Sequence, residues 1–310
     1  MRIAIAGAGA MGSRFGYMLS EAGNDVTLID RWDAHVDAIR QNGLQIDWNG
    51  EKRVAHLPIV KPNEVEGPFE LVICFTKAMG LGPMLEEIAP ALGEDTYFLS
   101  LLNGLGHGET MKKYVPASNV LVGTTIWTAR LDGPGQVHLH GDGSLALESL
   151  CEEGAEVAQK VAQVLDDAGL NATYDRNVKY AIYRKASLNG AVNGVCALLD
   201  ANLAQYGESG QAKYITTKIV EEFAAVAKHE GVNLDVEEVI GYVLNTMRPE
   251  VVGEHYPSMH QDLVGSHRLT EIDYLNGAVA RKAEAYGESA PYCDFLTRLV
   301  HAKESVLGAK

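Results

Sequence analysis

Arg2-Ile3-Ala4-Ile5-Ala6-Gly7-Ala8-Gly9-Ala10-Met11-Gly12 opens the chain and decides how its first half is read. An apolar run of strand length ends in a GxGxxG, and residues 13–22 then carry Phe15, Met18 and Leu19 on one helical side. Strand, glycine turn and helix follow in the order of a dinucleotide-binding fingerprint. The first glycine permits the tight turn, the second admits a pyrophosphate beside the backbone, and the third lets helix and strand pack closely. The helix N-terminus supplies unpaired N–H groups and a partial positive charge to the anion. Gly7, Ala8, Gly9, Ala10, Met11 and Gly12 are therefore candidate coenzyme-binding residues. A purely structural glycine bend is the competing reading, and the context argues against it. A second β-branched run, Asp25-Val26-Thr27-Leu28-Ile29-Asp30, ends in an acid 18 residues past Gly12.

Asp30 at that strand end is placed to accept hydrogen bonds from adenosine ribose hydroxyls and to repel a 2'-phosphate, which favours NAD. Arg31 follows directly and could pair with that phosphate instead, so NADP stays open. A solvated turn residue is the plain alternative for Asp30.

Further along, residues 71–76 (LVICFT) and 96–102 (TYFLSLL) are near-continuously apolar, as buried parallel strands are. Helical spacing at 35–41 and 82–91 falls between strands, so the expectation is a mostly parallel, doubly wound sheet with helices on both faces. Between 120 and 148, Asp132-Gly133-Pro134-Gly135 and His140-Gly141-Asp142-Gly143 signal antiparallel hairpins, read as an extension of the same sheet. From 180 onward, helical spacing dominates at 180–199, 211–230, 236–247, 270–285 and 290–307. The expected organisation is a Rossmann domain over 1–176 and an all-α domain over 177–310.

Composition narrows the function. A chain of 310 residues, 46% hydrophobic and 22% charged, suits two globular domains. Its formal charge of -15 disfavours nucleic acid or an anionic membrane as partner, and no basic run longer than Lys112-Lys113 reverses that field. No run approaches the roughly 18 apolar residues of a membrane span. The Ala-rich start superficially mimics a signal peptide, but it is short and interrupted by glycines. Cys74, Cys151, Cys196 and Cys293 lie far apart without ligand spacing, so no metal site or disulfide framework is expected, and a reducing cytoplasm fits.

Several polar residues stand out against apolar surroundings. Lys77 ends the strand LVICFTK, and Asn103 ends the next in Asn103-Gly104-Leu105-Gly106. Ligands of open parallel sheets bind beyond the carboxyl ends of the strands, which places both among the candidates; a solvated lysine and a turn-forming asparagine are the bland readings. Lys185, Asn189 and Asn193 recur every four residues among Ala, Gly and Leu, a polar stripe on one helical side. An ordinary helix surface would carry more charge there. Glu271 is expected early in a helix, where the backbone dipole favours a carboxylate. His138 and His140 share a face of a hairpin strand but suggest no third ligand, so they read as structural.

The turn at Gly7–Gly12, strand-end Lys77, Asn103-Gly104-Leu105-Gly106, the Lys185/Asn189/Asn193 helix, and Ser258 followed by Thr270-Glu271-Ile272-Asp273-Tyr274 together resemble the ketopantoate reductase family over nearly the whole chain. The resemblance implies hydride transfer from a nicotinamide to the C2 carbonyl of a 2-keto acid, giving a D-2-hydroxy acid. It makes Lys185 the general acid, Glu271 the carboxylate that holds its ammonium, and Asn103 a neighbour of nicotinamide and carbonyl. Asn189, Asn193 and Ser258 would fix the substrate, and Lys77 would help with an anion of coenzyme or substrate. NADPH-dependent members usually carry a basic residue and no acid after the second strand. Asp30 followed by Arg31 is more similar to the NAD-dependent D-2-hydroxyacid or D-mandelate dehydrogenase branch. NADPH-dependent reduction of ketopantoate is the alternative, and a non-catalytic nucleotide sensor is disfavoured because Lys185 and Glu271 are both present. Apolar stretches at 215–226 and 236–244 suggest a homodimer.

Overall fold

The computed structural model describes every residue, Met1–Lys310. The chain forms two units, one of Met1–Leu102 with His107–Val178 and one of Asn103–Gly106 with Lys179–Lys310.

The first unit carries twelve strands: β1 (Arg2–Ala6), β2 (Asp25–Ile29), β3 (Leu44–Trp48), β4 (Glu51–Ala55), β5 (Ile59–Val60), β6 (Leu71–Cys74), β7 (Tyr97–Ser100), β8 (Val120–Thr125), β9 (Arg130–Gly133), β10 (Gln136–Leu139), β11 (Leu145–Ser149) and β12 (Ala172–Tyr174). Its helices are α1 (Ala10–Glu21), α2 (Asp33–Asn42), α3 (Leu81–Ile88), α4 (His107–Met111) and α5 (Ala155–Asp167). The main sheet has eight strands in the order β12-β11-β8-β7-β6-β1-β2-β5. Its pairings are parallel from β5 through to β8, and β11 runs antiparallel to β8. From β1 the chain winds outward through β2 to β5, then returns to add β6 on the other side of β1. The order therefore reverses between β1 and β6, the point at which such sheets bind nucleotides.

Alternation of side chains assigns the two faces. Ile3 and Ile5 of β1, Leu71 and Ile73 of β6 and Leu99 of β7 share one core with Phe15 and Leu19 of α1 and Val161 and Leu165 of α5. Ala4, Ala6, Val72, Cys74 and Phe98 point the other way, into a core with Leu81, Met84, Leu85 and Ile88 of α3 and Met111 of α4. Full burial of each large side chain contributes about 1.5–3 kcal/mol, which is why runs without a polar residue become the central strands.

The segment at 120–148 departs from expectation. β8 and β11 do extend the main sheet, but the hairpin β9–β10 belongs to a separate four-stranded sheet, β4-β3-β10-β9. β10 finds a parallel partner in β3, Gln136 to Leu139 against Gln45 to Trp48, strands that the mixed polarity of residues 44–55 concealed. Arg14 of α1 clamps this sheet. Its side chain is buried, its guanidinium lies 5.6 Å from the ring of Trp48 and 4.5 Å from that of Trp127, and Nη2 donates to the His140 carbonyl at 2.8 Å.

The second unit is helical: α6 (Val178–Leu199), α7 (Leu203–Gly207), α8 (Ala212–His229), α9 (Val236–Thr246), α10 (Ser258–Ser266), α11 (Asn276–Tyr286) and α12 (Pro291–Leu307). Residues 190–197 of α6 are buried on every side, as a helix without a polar face must be. Gly190 is needed there, since a Cβ would lie 2.5 Å from the Phe223 ring of α8. The apolar stretches that suggested pairing between chains are largely spent on this core: Ile219, Val220, Phe223 and Val226 of α8 and Val239, Ile240 and Val243 of α9 are all buried. No helix is long and apolar enough to cross a membrane.

One helix starts later than its spacing predicts. Instead of running from 270, the chain makes a 3-10 turn at Ile272–Tyr274, and α11 begins at Asn276. The Tyr274 carbonyl, which would bond within a continuous helix, accepts the N–H of Leu105 at 2.8 Å. Glu271 therefore sits at the N-cap of a 3-10 turn, not within the first turn of an α-helix.

Candidate active site

The candidate phosphate-binding turn, Gly7–Gly12, shows a distinct steric environment at each glycine. Gly7 has φ +101°, and a Cβ there would lie 2.6 Å from the Thr76 nitrogen; at Gly12 it would lie 1.9 Å from the Gly7 carbonyl oxygen. Both positions exclude any side chain because backbone is already present. Gly9 is different, with nothing within 4 Å of its hypothetical Cβ. The turn is thus tight at its two ends and open in the middle, the shape a backbone needs to receive a pyrophosphate. Gly9 is the N-cap of α1, makes no side-chain cap bond, and the first turn of that helix holds no acid to compete for an anion. Ala8, Ala10 and Met11 complete the turn.

Asp30 buttresses this turn from the end of β2. Its Oδ2 accepts the Ala8 N–H at 2.8 Å and its Oδ1 accepts the Trp32 N–H at 2.9 Å. The fixed carboxylate retains lone pairs for further donors. Arg31 is exposed, and its Nη2 lies 2.9 Å from Oε1 of Glu87 on α3. His35 of α2 ties the turn to the second sheet: Nδ1 accepts the Gly135 N–H at 3.0 Å, which leaves Nε2 as donor to the Ala8 carbonyl at 2.9 Å. Burial lowers the His35 pKa, opposed by the Asp30 charge and the Ala8 carbonyl. The neutral ring is the form that this bridge requires. Lys77 is exposed after β6, where its carbonyl accepts the Gly80 N–H at 2.9 Å and starts a short 3-10 turn.

The remaining candidates belong to the helical unit. Asn103, Asn193, Ser258 and Glu271 line one small cavity together with Met259, Asp262 and Leu275. Its volume, about 10 Å³, admits about one water. By themselves these residues form a polar wall rather than an enclosed substrate pocket. The close approach at Gly104 builds that wall: with φ +95° and no side chain, it lets the loop after β7 come down on Tyr274, whose carbonyl oxygen would lie 2.4 Å from a Cβ. Asn103 and Glu271 are thereby carried on two segments joined by the Leu105–Tyr274 bond.

Lys185 and Asn189 are half-buried on α6, about two turns and one turn before the buried Asn193, and neither lines that small cavity. Burial pulls the Lys185 ammonium down to about 8. An amine in that range both gives and takes a proton near neutral pH.

Two supporting acids gave no sequence signal beyond their charge. Glu304 of α12 is buried, accepts the Thr270 N–H at 2.8 Å through Oε1, and holds His301 Nδ1 at 2.7 Å through Oε2, fixing the backbone that leads to Glu271. Asp262, also buried, accepts from Arg268 Nη2 at 2.6 Å. Long-range partners 34 residues apart cannot be paired from spacing alone. His138 and His140 lie with ring centroids 5.3 Å apart, His138 Nδ1 3.5 Å from Asp47 Oδ2, and no group of three or more His, Cys, Asp or Glu is arranged to hold a metal.

Comparison with known proteins follows this division. Residues 3–151 match the family model "Ketopantoate reductase PanE/ApbA" and residues 177–304 match "Ketopantoate reductase PanE/ApbA C terminal". A curated relative from Lactococcus lactis subsp. lactis (strain IL1403), 2-dehydropantoate 2-reductase, is 53% identical over 100% of both chains. Among solved structures, a ternary complex of D-mandelate dehydrogenase with NADH and anilino(oxo)acetate is 52% identical, with a TM-score of 0.95 over 100% of both chains. A putative 2-dehydropantoate 2-reductase from Enterococcus faecalis, also 52% identical over 100% of both chains, has a TM-score of 0.85.

Proposed function

This chain belongs to the ketopantoate reductase PanE/ApbA family, oxidoreductases that use NAD(P) and act on 2-hydroxy acids, and on that premise we propose that it reduces a C3-branched or aromatic 2-keto acid to the D-2-hydroxy acid with NADH. The observation that carries the chemistry is Lys185, an amine held near 8 on the helix that also brings Asn193 to the cavity of Asn103, Ser258 and Glu271.

A bound nicotinamide coenzyme supplies the hydride that reaches C2 of the substrate. As negative charge develops on the carbonyl oxygen, Lys185 Nζ gives it a proton, which stabilises the transition state where charge appears. Oxidation of the hydroxy acid uses the same nitrogen in neutral form as base. Glu271 keeps the ammonium directed, Asn103 orients the carbonyl, and Asn189, Asn193 and Ser258 offer hydrogen bonds to the rest of the substrate. Gly7 to Gly12 take the pyrophosphate on the α1 N-terminus, and Lys77 assists with an anionic group. Asp30 beside an Arg31 that is already paired favours NADH over NADPH.

Two substrates of this class are in view. The name of the Lactococcus relative supports 2-dehydropantoate, and of the two it has the wider support, because other relatives at 48% identity carry the same name. The D-mandelate dehydrogenase structure, with its NADH, supports a 2-keto acid that is aromatic at C3, or branched there without the hydroxyl of ketopantoate. Initial rates with ketopantoate, 2-ketoisovalerate and phenylglyoxylate, each with NADH and NADPH, decide between them. A dominant kcat/KM for ketopantoate selects the first, dominance of either other acid selects the second, and failure of all three removes the proposal. The homodimer remains part of it, with a different surface from the one expected: Tyr292, Phe295, Leu299 and Val306 form an exposed apolar stripe on one face of α12. Sedimentation equilibrium tests it, and a monomer at micromolar concentration contradicts it.

A further inference from the structure

The carboxyl end of β2 holds two cations, and each is closed on a carboxylate of the same unit. Arg31 follows Asp30 directly, and its guanidinium meets Glu87 of α3 at 2.9 Å. Lys61 follows β5, the edge strand paired with β2, where the Asp30 N–H donates to the Val60 carbonyl at 3.2 Å. Its Nζ meets Asp33, at the first turn of α2, at 2.8 Å. The side chains of Glu87 and Asp33 are 48% and 72% exposed, so neither carboxylate is required to satisfy a buried charge. Both cations keep enough exposure, 40% for Arg31 and 34% for Lys61, to meet a ligand if released.

A 2'-phosphate at this strand end would need a cation whose charge is not already compensated by a neighbouring carboxylate. We propose that Glu87 and Asp33 are coenzyme-specificity residues: as built-in anions they occupy Arg31 and Lys61, so rejection of a 2'-phosphate is shared by three carboxylates instead of resting on Asp30 alone. The inference rests on the reading of this unit as the coenzyme-binding unit and extends it to two positions outside the fingerprint. Asp30 remains fixed by two backbone N–H groups and cannot turn away. The competition at Arg31 and Lys61, by contrast, is between side chains and is removable by single amides.

Direct titration tests this without any substrate. The fluorescence of the reduced nicotinamide reports binding of NADH and NADPH to the full chain at low ionic strength, where exposed charges are least screened. Glu87→Gln is expected to lower the ratio Kd(NADPH)/Kd(NADH) by about two- to fivefold, the range equivalent to an exposed ion pair. Adding Asp33→Asn lowers it further, and raising salt shrinks both effects. In an Arg31→Ala background Glu87→Gln changes the ratio less than in the wild type. A ratio unmoved in both amide variants, or moved equally with and without Arg31, overturns the inference while NADH binding stands. Wild-type protein that already binds NADPH as tightly as NADH overturns it too. Failure of the wild type to bind either dinucleotide removes the coenzyme reading itself.

Discussion

Replacing Gly104 by alanine probes how the loop after β7 is held on the helical unit. The residue has φ +95°, and an L side chain forced there costs about 1–2 kcal/mol. Its Cβ would stand 2.4 Å from the Tyr274 carbonyl oxygen where 3.0 Å is the practical minimum, so the two segments must separate by at least 0.6 Å. That oxygen also accepts the Leu105 N–H at 2.8 Å, and losing the bond costs about 0.5–1.5 kcal/mol. The sum is roughly 1.5–3.5 kcal/mol. Gly106→Ala is the control: φ is +90° and nothing lies within 4 Å, so it carries the backbone cost alone, about 1–2 kcal/mol. Thermal unfolding should place Gly104→Ala roughly 1–3 °C below Gly106→Ala, the 0.5–1.5 kcal/mol of the lost bond spread over the unfolding entropy of a chain of this length. Because Asn103 and Glu271 ride on the joined segments, kcat should also fall by at least about tenfold in the first variant, as misplacements of this size do. Equal Tm and kcat in the two variants would refute the argument that close approach, not turn geometry, is what Gly104 provides.

Gly9→Ala and Gly12→Ala should separate binding from folding. Gly9 has open space where a methyl fits, so its variant keeps the wild-type Tm yet weakens NADH binding about tenfold or more by filling the pyrophosphate position, whereas Gly12→Ala meets a carbonyl at 1.9 Å and loses stability. Calorimetry and coenzyme titration on both report this, and a destabilised Gly9→Ala with normal affinity would contradict it. His35 should make the protein acid-sensitive. Its folded pKa is lowered, so the unfolded chain takes up the proton first; stability is full above the unfolded value of about 6.5 and is lost as pH falls from there through the lower folded value. Tm measured from pH 7.5 to 5 should drop more steeply in the wild type than in His35→Gln, and parallel slopes would exclude His35 as a cause.

Much of the first unit was legible because its signals are local. The Gly7–Gly12 turn lies within six residues, and β1, β2, β6 and β7 are apolar enough to be read without partners. Strands β3 and β4 were not, because Gln45, Asp47, Glu51, Lys52 and Arg53 dilute their pattern; they are set by pairing with each other and with β10, about 90 residues on. The same limit applies at the site. Asn103 and Asn193 stood out as polar residues in apolar surroundings, Glu271 by its expected place at a helix start and Ser258 by the family resemblance, and the four are gathered at one cavity. Glu304 and Glu87 act through contacts 34 and 56 residues away, which local spacing does not reveal. The late start of α11 had a local sequence in favour of helix, and the tertiary bond from Leu105 outweighed it.

The pH dependence of 2-keto acid reduction in wild type and Lys185→Ala bears most directly on the chemistry. With an ammonium near 8 as proton donor, wild-type kcat/KM should decline as pH rises through about 8. Lys185→Ala should lose about 10²- to 10⁴-fold in kcat and with it that decline. Near-normal turnover in Lys185→Ala, or a decline at the same pH that survives the substitution, would contradict the assignment.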